Sequence, residues 1–221
     1  MALKNFGVKE VADVRFYPAN ALKYDRDNET LAWNTTDTTK MNPILEFTTL
    51  KVSNLEITAE TTDARGGKGN SKLITWDHSR TATLTLEDAL LSLDTIQALM
   101  GAGDKSDDGD DDDNRSVVIT SDSFADAYCI VGTTFAKSQD DGTDHLFTFF
   151  VPNAKVGTDL NLTMEAEGDP TVFSMTLDVL RASKTDSTMI ALIANNKTYT
   201  EPTTTGATIF DTVIPEKPKA T

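Results

Sequence analysis

Asn54-Leu55-Glu56-Ile57-Thr58-Ala59-Glu60-Thr61, then Arg65-Gly66-Gly67-Lys68-Gly69-Asn70-Ser71, then Lys72–Asp77 and Thr81–Asp88: this run decides the fold class. Its first part alternates, with Leu55, Ile57 and Ala59 to one side and Asn54, Glu56, Thr58 and Glu60 to the other. A side-chain period of two is that of a strand with one face on a core and one in water. The glycine-rich segment breaks the pattern, and Leu73, Ile74 and Trp76 resume it. After a turn at Arg80, Ala82, Leu84 and Leu86 alternate with Thr81, Thr83, Thr85 and Glu87. Ser92 then offers a hydroxyl to cap a short helix carrying Leu93, Ile96, Leu99 and Met100, with Asp94 in its first turn and Gly101 just past its end. The order is strand, loop, strand, turn, strand, helix, which predicts a sheet with a helix laid against it.

Working outward, Val11–Tyr17 and Ile44–Leu50 read as strands upstream, separated by a polar, irregular Asn20–Lys40 that reads as a long loop or arm around Leu31-Ala32-Trp33. Downstream, Ser116–Ser121 reads as a strand. Asp126–Ala136 and His145–Val151 form a hairpin across Asp140-Asp141-Gly142-Thr143, where Asp-Gly favours positive φ. Leu160–Glu167 and Val172–Leu180 form a second hairpin across Gly168-Asp169-Pro170, with Phe173, Met175, Leu177 and Val179 facing inward. Strands at short spacing with turn signals predict a mainly β fold, a β-sandwich or barrel with one flanking α-helix. The expected organisation is one domain over 1–195, an acidic loop insertion at 103–114, and an extended C-terminal arm over 196–221. Ile209, Phe210, Val213 and Ile214 in that arm would dock on a neighbour.

The formal net charge of the 221 residues is −15 and hydrophobic content is 38%, so the core is thin and burial is expected to be completed by partners. Such a charge repels nucleic acid, which argues against a binder of phosphate backbones. The single cysteine, Cys129, excludes an intrachain disulfide and a cysteine-based metal site, and its apolar neighbours predict burial. Met-Ala-Leu-Lys-Asn-Phe-Gly has no apolar core, so no secretory leader is expected, no run reaches membrane-spanning length, and synthesis in a cytoplasm follows. His78 and His145 stand in no zinc-ligand spacing, and no GxSxG elbow occurs. Gly66-Gly67-Lys68-Gly69 lacks the phosphate-loop pattern and precedes a strand. No catalytic, cofactor-binding or metal residue is therefore assigned, and an enzyme is not expected. The acids of Gly103–Asn114 are consecutive rather than alternating, which predicts a solvated loop; a calcium- or carbohydrate-binding β-sandwich stands as the alternative from a different class.

One pattern remains. The polar faces of Asn54–Glu60, Thr81–Glu87, Asn161–Glu167 and Val172–Asp178 carry Thr, Asn, Ser, Glu and Asp but no Lys or Arg. A duplex gains affinity from basic side chains through counterion release, and a wall of hydroxyls and carboxylates gives it nothing to hold.

Arg65–Asp77 and Ala82–Leu90, with Leu162–Pro170 and Phe173–Asp178, resemble segments of the tailed-bacteriophage tail tube protein (major tail protein) family, over Leu55–Gly101 and Leu160–Leu180. The resemblance implies a virion structural protein made in the host cytoplasm. Its subunits would form stacked hexameric rings, with strands of each completing an inner β-barrel through which genome DNA is ejected. The implied partners are other copies of the chain, tape measure, tail terminator, baseplate and sheath proteins, with DNA passing unbound. Strand parity then nominates Glu56, Glu60, Glu165, Glu167 and Asp178 as lumen-facing, and Gly66, Gly67, Lys68 and Gly69 as an inter-subunit loop. A baseplate or neck protein, or a capsid decoration protein, is the alternative within the virion.

Overall fold

The computed structural model describes residues 5–8, 13–90, 92–101, 103–104, 116–140, 142–157, 173–198 and 209–217. In chain order the elements begin with β1 (Phe6–Val8), β2 (Asp13–Pro18), β3 (Leu22–Asp25), β4 (Thr30–Trp33), a 3-10 turn at Thr38–Met41, and β5 (Leu45–Phe47). Next come two long strands, β6 (Leu50–Gly66) and β7 (Ser71–Asp88), the helix α1 (Leu93–Met100), and the short β8 (Gly103–Asp104) and β9 (Val117–Val118). The chain continues through β10 (Ala127–Ser138), β11 (Asp144–Val156), β12 (Phe173–Val179) and β13 (Ala191–Thr198) to a second 3-10 turn at Ile209–Thr212. The fold is mainly β with one flanking helix, as the alternation predicts.

Nine strands form one antiparallel sheet in the order β5-β2-β10-β11-β12-β7-β6, with β1 on the far half of β10 and β13 on the far half of β11. Alternation in β10 and β11 feeds two cores. Ile130, Val151 and Tyr128 join Val14, Phe16, Phe47, Leu84, Leu86, Met175 and Leu177 on one side, closed by Leu99 of α1. Cys129, Val131 and Phe150 join Tyr17, Leu22, Leu31 and Phe210 on the other. Each fully buried Leu, Ile or Phe contributes roughly 1.5–3 kcal/mol by leaving water. Gly132 sits opposite Phe149 in register, and a Cβ at Gly132 would lie 2.1 Å from the Phe149 ring. The ring covers the bare backbone of the glycine, so the missing side chain is part of the packing.

Helix α1 is capped as its sequence predicts. Ser92 Oγ accepts from the Thr95 amide at 3.1 Å, and Gly101 closes the helix in the left-handed region at φ 62°. A Cβ at Gly101 would stand 2.2 Å from the Phe124 carbonyl oxygen. The Tyr128 hydroxyl donates to the Ala98 carbonyl, fastening the end of the helix to β10. Burial pushes the Tyr128 hydroxyl up to about 12. It does the same to the Cys129 thiol, from 9.0 to about 12, and that side chain is fully buried.

Four expectations are corrected. Asn20–Lys40 is not a loop: Leu22–Asp25 and Thr30–Trp33 pair as a hairpin whose Leu22 and Leu31 are buried in the second core. The turn at Arg80 is a bulge, with Ser79 at φ 51°, inside one continuous strand β7. Ile57, Ala59, Leu73, Ile74 and Trp76 alternate or cluster as core residues do, yet all are exposed, because the outer half of the β6–β7 hairpin runs past the body of the sheet. Ser116–Ser121 forms only a two-residue strand. The inward set Phe173, Met175, Leu177 and Val179 is buried, whereas Leu160–Glu167 lies outside the described residues. In the C-terminal segment Phe210 is buried in the chain's own second core, under Arg15, whose guanidinium sits 4.3 Å from its ring centroid. Trp33 Nε1 donates to the Pro215 carbonyl at 2.8 Å.

Gly132→Val is expected to lower stability by about 1–3 kcal/mol through overpacking, and Gly101→Ala by at least as much, since backbone atoms cannot step aside. The urea midpoint measures both, and unchanged midpoints contradict the packing described. Cys129 in the native chain is expected to resist a maleimide at pH 8 and to react fully in denaturant. Because folding holds Cys129 and Tyr128 protonated, their contribution is complete below pH 9 and is lost as pH rises toward about 12.

Candidate functional site

The reverse of the Leu84–Leu86–Met175–Leu177 layer is a sheet face on β6, β7 and β12 that no other element covers among the described residues. Register builds it in rows. Val52, Glu87 and Ser174 lie side by side, then Asn54, Thr85 and Thr176, then Glu56, Thr83 and Asp178. Thr58 and Thr81 continue it, their hydroxyls 2.8 Å apart. Glu56, Thr58, Thr176 and Asp178 are exposed and Thr83, Thr85 and Glu87 half-buried. Three carboxylates and a field of hydroxyls thus share one surface, with no Lys or Arg on these rows. The nearest basic group in register is Lys155 of β11, beside Asp178. Glu56 and Asp178 stand two strand spacings apart, about 10 Å, roughly the screening length of physiological salt, so salt largely screens one from the other.

Glu56 and Asp178, two of the five nominated carboxylates, meet on this face. Glu60 lies farther out on the hairpin, its Oε2 3.6 Å from His78 Nε2, and Glu165 and Glu167 lie outside the described residues. Strand parity missed Glu87 as a member of the same face. Its place in the alternation Thr81–Glu87 was the available signal.

The face ends at an edge. Among the described residues β6 pairs only with β7, leaving the other edge of its 17 residues open. Gly66, Gly67, Lys68 and Gly69 form the tip of the β6–β7 hairpin, with Gly67 at φ 80° and Gly69 at φ 93°, and the Asn70 amide donates to the Gly67 carbonyl at 3.1 Å. Below the tip, Lys72 Nζ lies 2.8 Å from Asp63 Oδ1 and Arg65 Nη2 3.3 Å from Asp63 Oδ2. The hydrogen bond from Lys72, with that from Thr75, holds the Asp63 carboxyl below the usual carboxylate range. Among the described residues no group of three or more His, Cys, Asp or Glu gathers to hold a metal ion, and no helix is long and apolar enough to cross a membrane.

A mainly antiparallel subunit with such a polar face beside such a strand edge belongs to the class that closes its edges by joining copies, since a bare edge templates further pairing. The sequence model of the YomU/Tube protein family matches residues 28–105 and 110–193. The chain therefore belongs to that family, a family of phage tail tube proteins, and is a structural component of the virion tail. Among curated proteins none matches it.

The exposed face is expected to tolerate charge reversal while its reverse is not. Glu56→Lys with Asp178→Lys is predicted to shift stability by no more than about 0.5 kcal/mol per site, and Leu84→Ala to cost about 2–5 kcal/mol. Thermal melts decide, and a large loss in the double Lys variant indicates a structural rather than functional face.

Proposed function

We propose that this chain is the tail tube subunit itself, assembling into hexameric rings that stack into a channel for genome DNA. The observation that carries the reading is the β6–β7–β12 face, rich in hydroxyls and carboxylates, with no basic side chain on its rows before Lys155 of the adjoining β11, set beside a strand edge left open among the described residues. In the assembled ring that edge joins the sheet of the adjacent copy, so that the faces of successive subunits merge into one inner barrel. Glu56, Glu87 and Asp178 line the lumen, with Glu165 and Glu167 assigned to the same wall, and Glu60 lies toward the rim.

The physics of passage favours such a lining. DNA carries a charge every 1.7 Å of duplex axis, about, and each phosphate neutralised by Lys or Arg would release counterions and hold the duplex. Carboxylates repel the phosphates, and hydroxyls stay hydrated, so the duplex slides in water without a bound state. The tube meets tape measure protein within, a terminator at one end, a baseplate at the other, and a sheath outside if the tail contracts.

Negative-stain electron microscopy of the purified chain over a range of concentrations, with native mass spectrometry, tests the reading. Stacked rings with an open channel and masses in multiples of six are expected. Single rings that never stack favour the baseplate or neck alternative, and a monomer at every concentration counts against self-assembly. In virions carrying Glu56→Lys and Asp178→Lys, intact tails with slowed DNA ejection are expected. Unchanged ejection removes this face from the lumen and leaves the tube standing.

A further inference from the structure

The two cores draw on different parts of the chain. Among the described residues, the first core takes its buried side chains from β2, β5, β7, α1, β10, β11 and β12, and none from the β3–β4 hairpin or from residues 209–217. Those two pieces close the second core. Leu22 and Leu31 of the hairpin and Phe210 of the C-terminal segment pack with Tyr17, Cys129, Val131 and Phe150. The hairpin is a two-stranded sheet of its own, with no ladder to the nine-stranded sheet among the described residues. Side-chain packing, not strand pairing, holds it in place.

Residues 209–217 tie that hairpin down. Phe210 is buried, with the Arg15 guanidinium 4.3 Å from its ring centroid, and Arg15 Nη2 in turn lies 2.8 Å from Glu46 Oε1 on β5. Trp33 Nε1 of β4 donates to the Pro215 carbonyl at 2.8 Å, and Lys217 Nζ donates to Asn42 Oδ1 at 2.6 Å. The Val213 and Ile214 amides both donate to the Phe210 carbonyl, at 3.0 and 2.8 Å, folding the segment over its own anchor. One segment therefore touches β2, β4 and the stretch that leads into β5. Yet Phe210 is its only buried residue: Ile209, Val213, Ile214 and Pro215 are half-buried, and Asp211, Thr212, Glu216 and Lys217 are exposed. Ordering a segment costs conformational entropy at every residue, and one anchored ring offsets only part of that. Segments with few buried contacts open at free energies below that of global unfolding.

We infer that residues 209–217 and the β3–β4 hairpin form one cooperative unit, with the C-terminal segment as its clasp, and that this unit opens while the nine-stranded sheet stays folded. Opening bares Tyr17, Leu22, Leu31, Cys129 and Phe150 of the second core. The first core is untouched, and with it the register of β6, β7 and β12, so the polar face and the β6 edge keep their form whether the clasp is open or shut. The molecule thus carries a two-state device separate from the surface assigned to self-assembly, and the inference does not rest on the tube reading. Cys129 reports the state of the clasp: its thiol lies against the Leu22 backbone, beneath the hairpin, and is 0% exposed when the unit is closed.

Hydrogen exchange read by mass spectrometry, with maleimide labelling of Cys129, tests this on the full chain. The amides of β3, β4 and residues 209–217 are expected to exchange together, about tenfold or more faster than those of β7, β11 and β12. Phe210→Ala is expected to speed exchange in both pieces, and the slow labelling of Cys129, by about tenfold or more, and to leave β7 and β12 unchanged. Trp33→Phe keeps a ring in place and removes the N–H donated to Pro215. It should move the same amides and Cys129 in the same direction severalfold, and it carries the test if Phe210→Ala does not fold. Equal exchange in the hairpin, the C-terminal segment and β7–β12 means that all open together in global unfolding, and overturns the inference. Faster exchange of residues 209–217 in either variant, with the hairpin and Cys129 unmoved, overturns it too, since the segment then frays alone.

Discussion

The β10–β11 hairpin carries both cores, and the remainder of the sheet is built outward from its register. Ile130 and Val151 face one core while Cys129, Val131 and Phe150 face the other, so neither side of this hairpin is free to meet water. A slip of one residue would exchange the two sets and unpack both layers. Gly132 under the Phe149 ring marks the register, because only a residue without a side chain leaves room there. The second layer is held by contacts from distant parts of the chain. Arg15 pairs with Glu46 at 2.8 Å while its guanidinium stacks on Phe210, and Trp33 reaches the Pro215 carbonyl.

With its cores placed there, the molecule spends none of its packing on the outer β6–β7 hairpin. That arm is stabilised by ladder hydrogen bonds and by cross-strand pairs such as Thr58 with Thr81 and Asp63 with Lys72. Exposed pairs of this kind are worth little singly. A two-stranded ribbon with an apolar face is marginal in water alone and gains stability when that face is covered. Membership of a tube family supplies the setting in which covering is available, since each subunit meets other copies of itself. The arm, the open β6 edge and the polar β6–β7–β12 face are then three consequences of one arrangement: a sheet too long for its own core.

Much of this was legible from local pattern. The caps of α1 at Ser92 and Gly101, the hairpin across Asp140–Thr143, the burial of Cys129 and the inward set of Phe173–Val179 each follow from a few neighbouring residues. The hairpin Leu22–Trp33 was not, because its polar loop masks two buried leucines that are recognisable only against Tyr17 and Phe150. Of the nominated wall, Glu56 and Asp178 share a row through Thr83 although 122 positions separate them in sequence, and no local rule could have paired them.

The sequence by itself determined the period of each strand, hence which residues lie on which side, and the sign of the charge on each side. It also determined the helix and its ends, since caps are local hydrogen bonds. Tertiary structure alone decided which apolar faces are covered. Leu84 and Trp76 stand in one continuous strand, yet one is buried and the other bare. Alternation records the two faces of a strand, whereas burial depends on whether another layer lies in front of them, and that is settled by strands brought together from far along the chain.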